Sequence, residues 1–214
     1  MKKLLFSFFF VLFVLGVLAT PSFAKEGSVN TKDSLIEKQI KDFEKFDKAL
    51  QSGEAQVYAD KNDGEIALKA TTGRYPTRKG TILVTDGLRF DSLVGHAGMV
   101  LSPKKTVESF PKGGVQYRYD KWYRRYKKVW GITTRGTSAS KDAAAADWAN
   151  LQIGKPYNKN FFNIETTSKF YCSQLVYKAV KTKAGVNLNW LGGIVTPSDL
   201  VNSSKSYTVY RYAR

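Results

Sequence analysis

Hydrophobic and polar positions divide this chain into an apolar leader, an amphipathic stretch, a block of short β-rich runs and a return to helical spacing. Between Asn30 and Ser52, Leu35, Ile36, Ile40, Phe43, Phe46 and Leu50 fall on one stripe among Lys, Glu and Asp. That spacing predicts a helix, with Gly53 as its C-cap. Asp60–Arg78 is polar, with Glu65–Thr71 a candidate short strand inside it. From Gly80 the period shortens. Thr81–Thr85, a run from near His96 to Leu101, Lys105–Phe110, Val115–Tyr119 and Lys127–Thr134 each read as a strand. Asp86-Gly87 and Gly113-Gly114 mark turns between them, which suggests an antiparallel meander. Helical signals then return. Ser138–Asp142 caps a run ending near Leu151, and Gly154-Lys155-Pro156 stops it. Leu175, Val176, Ala179 and Val180 recur at helical spacing in Tyr171–Lys183, which lacks Pro and Gly. Thr196-Pro197-Ser198-Asp199 reads as a short capped turn with Pro at its first position, and Tyr207–Tyr212 as a closing strand. The predicted class is α+β.

The leader changes the picture of where the chain works. Lys2 and Lys3 precede an apolar run from Leu4 to Leu18, and Ser22-Phe23-Ala24 places small residues where a signal peptidase cuts. Residues 1–24 are therefore expected to be a secretory signal peptide, with 25–58 an accessory N-terminal helix and 59–214 the working domain. No second apolar run of spanning length follows, so no transmembrane segment is expected after cleavage. The chain carries +16 formally, and losing Lys2 and Lys3 leaves +14. A basic exported protein suits a polyanionic surface such as a bacterial cell wall or anionic lipid. Nucleic acid is not expected as a partner, because no binding motif for it is present.

Export sharpens the meaning of the cysteine. Secreted domains use Cys in pairs, and Cys172 is the only one. It is either an inert buried thiol or a reactive one. Its expected place, in the first turn of a helix, exposes it to unpaired N–H groups and the positive end of the macrodipole, which favour thiolate. His96 is the only histidine, between Gly95 and Gly98 at a strand start. A Cys/His pair needs a third group to orient the imidazole. Glu108 lies in the middle of the next strand, and a hairpin turning at Ser102–Lys104 brings it near His96; register leaves Asp86, Asp91 and Asp120 open. One His and one Cys without clustered carboxylates do not make a closed zinc site, so no metal or other cofactor is expected.

Two blocks carry a family resemblance: Gly154-Lys155-Pro156-Tyr157 followed by Phe170-Tyr171-Cys172-Ser173-Gln174-Leu175-Val176, and Gly95-His96-Ala97-Gly98 lying before the Cys. Together they resemble the NlpC/P60 cysteine hydrolases, in the order of the circularly permuted YiiX/YaeF-like branch, over roughly Gly80 to Arg214. The resemblance implies a permuted papain-like fold, with a small antiparallel β-barrel or sheet packed on a helix carrying the Cys. It implies Cys172 as nucleophile, His96 as base, Glu108 as third member, and Tyr157 and Tyr171 at the substrate. Tyr171 and Gln174 depart from the family pattern, which has Asp before the Cys and Gly after Cys-Ser. The branch includes enzymes of peptide amides and of lipid esters.

The leading expectation is an exported thiol hydrolase cleaving an amide in a peptide or amino-acid amide, such as a peptidoglycan fragment. A lipid-directed acyltransferase or lipase is the second, with Tyr119–Tyr126 as the candidate interfacial segment or else a solvated loop. A non-enzymatic wall-binding module is the third. For charged ends of a peptide, Asp199 and Glu165 are candidates for an amine and Arg89 for a carboxylate.

Overall fold

The computed structural model describes residues 31–61, 73–189 and 192–214. The leader and the candidate strand Glu65–Thr71 lie outside the described residues. The elements, in order, are α1 (Thr31–Ser52), β1 (Ile82–Phe90), β2 (Leu93–Ser102), β3 (Lys105–Phe110), β4 (Gly114–Arg118), α2 (Trp122–Arg125), β5 (Lys128–Thr134), α3 (Ala139–Asn150), α4 (Cys172–Ala184), α5 (Pro197–Asn202) and β6 (Ser206–Ala213). The strands form one antiparallel sheet in the order β4-β3-β2-β1-β5-β6. Its outer strands β4 and β6 are not paired with each other, so the sheet is open and the expected barrel is not formed. Their outer edges meet chain instead: Val115 exchanges backbone hydrogen bonds with Gly154 and Lys155, and Tyr58 N–H donates to Thr208.

The β1–β2 hairpin is longer than Thr81–Thr85 suggests. It runs through Asp86-Gly87 because a bulge between Thr85 and Arg89 absorbs those residues without ending the pairing. One sheet face carries Val84, Ala97, Met99 and Val107, which form the main core with Ala145, Ala149, Leu175, Val176 and Ala179 of α3 and α4. The other carries Leu83 and Val100, packed with Trp122, Tyr126, Val129 and Tyr210.

Two of these pieces depart from the hydrophobic pattern. In α1 the buried positions are Ile36, Gln39, Phe43 and Asp47, while Ile40 is 41% exposed. The helix is rotated because its polar side chains have buried partners. Gln39 donates to Ser92 O and accepts from Val94 N–H, and Phe43 stacks on Trp130 at 5.3 Å. The segment Tyr119–Tyr126, expected as an interfacial strip or a solvated loop, is divided: Tyr119, Asp120, Lys121 and Arg124 stay exposed. Two of its other ring positions turn inward around α2, with Trp122 fully buried and Tyr126 nearly so, because the Trp122 indole N–H finds a buried carboxylate.

Candidate active site

Helix α4 begins at Cys172, with Tyr171 as its N-cap. Its start is driven into the place where β2 and β3 part. Their pairing runs from Ser102↔Lys105 to Gly98↔Glu108. Beyond it Ser109 Oγ donates to Phe170 O, two residues before the cysteine, and the Ala97 backbone N–H turns to the thiol. A parallel bridge between Tyr157 and Phe170 fixes the incoming strand of chain. The helix start and the β2 histidine therefore meet although α4 packs mainly on the opposite sheet face.

His96, Gly98, Thr106, Glu108 and Phe110 share one face by strand alternation and by the Gly98↔Glu108 register. Glu108 Oε2 lies 2.9 Å from His96 Nε2. An ionised carboxylate only accepts, so the proton sits on Nε2 and Nδ1 is left for the thiol. Nδ1 is buried and makes no hydrogen bond of ordinary geometry, yet Cys172 adjoins it closely enough for each group to shift the other. Catalytic hydrogen bonds are often poorly aligned until substrate binds.

The charges of the pair follow from these neighbours. Burial opposes charging the ring, but Cys172 and then Glu108 outweigh it and carry His96 up to about 9. Burial likewise opposes the thiolate, but His96 and the N–H groups of Ala97 and Ser173 bring Cys172 below its ordinary value. Burial pushes Glu108 up, and His96 and Arg125 bring it down to about 2. The site thus favours a thiolate–imidazolium pair beside an ionised carboxylate.

Glu108 has no spare acceptor. Besides His96 it receives Trp122 Nε1 at 2.9 Å, Arg125 Nη2 at 2.8 Å, Arg125 Nη1 at 3.2 Å, and the Thr106 hydroxyl. Trp122 also stacks on the imidazole, centroids 5.4 Å apart and planes 18° apart, and the Phe110 ring lies tilted beside it at 4.3 Å. Sequence reasoning missed Thr106, Trp122 and Arg125. Period-two alternation puts Thr106 beside Glu108, but nothing in the basic aromatic run around Trp122 distinguishes an inward segment from a surface one.

Between its two glycines the His96 ring is fully buried. Gly95 has φ of 88°, and a Cβ there would meet Thr85 O at 2.4 Å and Phe43 at 2.9 Å. At Gly98 a Cβ would meet Glu108 Cγ at 2.7 Å. Each glycine admits a neighbour that seats the histidine. Cys172 is also fully buried. Phe90, Phe110 and Tyr157 form the aromatic cover, with Phe90 edge-on to His96, Phe110 and Tyr157.

The remaining sequence candidates divide. Tyr157 is at the site: its hydroxyl is buried without a partner, and burial and then Cys172 hold it firmly protonated. Tyr171 is fully buried, and its hydroxyl donates to Phe161 O and accepts from Val195 N–H. Gln174, the departure after Cys-Ser, accepts from Tyr171 N–H and Asn158 Nδ2 and donates to the carbonyls of Asn163, Ile164 and Thr166. It ties the loop after Tyr157 to the helix start. Asp199 caps α5 through Thr196 N–H, and Glu165 pairs with Lys178 and Lys181, so both amine candidates are engaged. Of the alternative third members, Asp120 pairs with Arg125, Asp91 with Lys32 and Asp86 with Lys128.

This geometry, a thiol at a helix start against a strand histidine that precedes it in the chain, defines a permuted papain-like site. The chain belongs to the family described as permuted papain-like amidase enzyme, YaeF/YiiX, C92 family, whose model matches residues 82–193. Among its relatives is the uncharacterised protein YycO of Bacillus subtilis strain 168, 33% identical over an alignment of 181 residues that covers 77% of this chain and 73% of that one. A solved structure described as the metalloprotein YiiX from Escherichia coli O157:H7 shares the fold, with a TM-score of 0.53 and 19% identity over 64% of this chain and 99% of that one. In this chain no three His, Cys, Asp or Glu side chains among the described residues are placed to hold a metal ion. The acceptors of Glu108 are already taken, so the donor set does not fit one.

Proposed function

We propose that the chain is a thiol amide hydrolase with Cys172 as nucleophile, His96 as general base and acid, and Glu108 as the group that orients the ring. The observation that carries this reading is the buried Cys172–His96 pair, in which each group favours the charged form of the other. The thiolate attacks the amide carbonyl carbon and forms a C–S bond. The oxyanion is met by the Cys172 backbone N–H at the helix start and by the Tyr157 hydroxyl. The imidazolium gives its proton to the amide nitrogen as the C–N bond breaks, leaving a thioester. Neutral His96 then takes a proton from water, whose oxygen displaces the thiolate and releases the acid. Because both reacting groups are buried, the Phe90–Tyr157 cover must part for substrate to enter.

We place this activity outside the cell, on peptides or amino-acid amides of the bacterial wall. The leader-like residues 1–24 and the +14 charge of the remainder support that placement; among the described residues no helix is long and apolar enough to cross a membrane. A lipid substrate is the second reading. It is supported by an apolar groove of about 340 Å³ lined by Leu35, Phe162 and Ile194, with Phe162 79% exposed. Incubating the protein lacking residues 1–24 with muropeptides and with phospholipids, and following products by mass spectrometry, separates the two. Peptide fragments that vanish with Cys172→Ala support the amidase; deacylated lipid and intact peptides support the lipid enzyme.

A further inference from the structure

The catalytic imidazole lies in the middle of a chain of five groups in contact. Arg125 lies over the Trp122 ring at 5.4 Å, Trp122 lies on His96, His96 lies on Phe110, and the Arg118 guanidinium lies over Phe110 at 4.9 Å. The two arginines at the ends are in opposite conditions. Arg125 is half-covered and bound to Glu108 and Asp120. Arg118 is exposed at the end of β4, and no carboxylate among the described residues lies within ion-pair distance of it. It stands one ring away from the histidine, against the half-buried Phe110 of the aromatic cover. Of the other charges near the cover, Asp91 pairs with Lys32, and Lys155 donates to Gln152 and the Thr167 carbonyl. Arg89 does not compete for the role. It neighbours Phe90 in β1, so alternation turns it to the opposite face from the Phe90 ring.

We propose that Arg118 is a specificity-determining residue that binds a carboxylate of the substrate, so that the preferred substrate is an amide carrying an acidic group close to the scissile bond. This rests on the amide-hydrolase reading above and names its substrate class. A planar guanidinium matches a carboxylate with two parallel hydrogen bonds. Its contact with the Phe110 ring, 4.9 Å from the centroid, restricts the side chain and lowers the ordering cost of binding. The acid would lie beside the aromatic cover while the amide reaches past it to Cys172.

Two measurements test this on the protein lacking residues 1–24. The first compares the rates at which iodoacetate, an anion, and iodoacetamide, its neutral counterpart, alkylate Cys172; the ratio cancels access and thiol reactivity. Arg118→Met keeps the methylenes on Phe110 and removes the charge, and is expected to lower the ratio on the order of fivefold, whereas Arg89→Met leaves it where it was. The second compares matched peptide amides containing Glu or Gln next to the cleaved bond. The wild-type chain is expected to favour Glu about tenfold or more in kcat/KM, chiefly through KM, and Arg118→Met to erase the preference. An alkylation ratio that Arg118→Met does not move, or equal cleavage of the Glu and Gln amides, overturns the carboxylate subsite while leaving the hydrolase intact. An Arg118-dependent ratio with no amide cleaved by any form supports the anion subsite and overturns the hydrolase.

Discussion

The chain builds the same trio twice. Asp47 of α1 accepts Trp130 Nε1 at 3.2 Å and Arg211 Nε at 2.8 Å and Nη2 at 3.1 Å. Glu108 of β3 accepts Trp122 Nε1 and two guanidinium nitrogens of Arg125. Both carboxylates are buried, and burial works against their charge; Arg211 chiefly restores it at Asp47, and His96 and then Arg125 at Glu108. They differ in their last neighbours. Asp47 has Gln51 and Lys128, which exchange no proton with a reacting group, and the trio there fastens α1 to β5 and β6. Glu108 has His96, and through it Cys172. A buried acid with an indole and a guanidinium is thus a clamp, and it becomes part of a site only when a titrating ring beside a nucleophile completes it.

Substitutions can break this parallel. The largest effect is expected from Cys172→Ala or His96→Ala, which should abolish acyl-enzyme formation, whereas Asp47→Asn should leave it; intact-mass detection of the thioester decides. Glu108→Gln and Asp47→Asn should each cost about 3 kcal/mol in denaturant unfolding, because each removes the buried carboxylate charge that a guanidinium faces. Only Glu108→Gln should also lower kcat, by roughly a hundredfold. Equal losses of activity from both would erase the distinction. Trp122→Phe and Trp130→Phe remove the two indole donors, each expected to cost about 2 kcal/mol; only Trp122→Phe should shift the pH profile, since Trp122 alone touches His96.

The smallest effect is the pH dependence of stability. His96 is raised, so its contribution is complete below its unfolded value of about 6.5 and is lost as pH rises through about 9. Glu108 is depressed, so its contribution is complete above about 4.3 and is lost as pH falls through about 2. Both hold between those limits. Changing Glu108 to Gln should remove its acid arm and weaken the alkaline arm, which Cys172 still supports, whereas Asp47→Asn should leave the alkaline arm in place.

Much of this site is legible in the sequence, and the reason is local. Cys172 starts a helix that lacks breakers, and His96 and Glu108 sit on strands joined by a short turn, so alternation brings them to one face. The N-terminal reading is weaker because hydrophobic spacing is blind to polar burial: nothing in α1 marks Gln39 and Asp47 as inward, since their partners Ser92, Val94, Trp130 and Arg211 are distant in sequence. The open sheet has the same origin. Strand signals identify β4 and β6 but not whether they pair, and that depends on the chain at Val57–Tyr58 and Gly154–Lys155 covering their edges. Trp122 and Arg125 stayed hidden because a basic aromatic segment has one composition whether it faces water or a buried carboxylate.

The central claim is that Cys172 and His96 form a thiolate–imidazolium pair held by Glu108. It is tested most directly by the ultraviolet absorbance of the thiolate against pH, taken as the difference between the wild-type chain and Cys172→Ser, which needs no reagent to pass the aromatic cover. The account predicts thiolate appearing well below the ordinary cysteine value of about 8.5, and moving upward in His96→Gln and, by less, in Glu108→Gln. A wild-type thiol that ionises at or above the ordinary value, unmoved by either substitution, would contradict it.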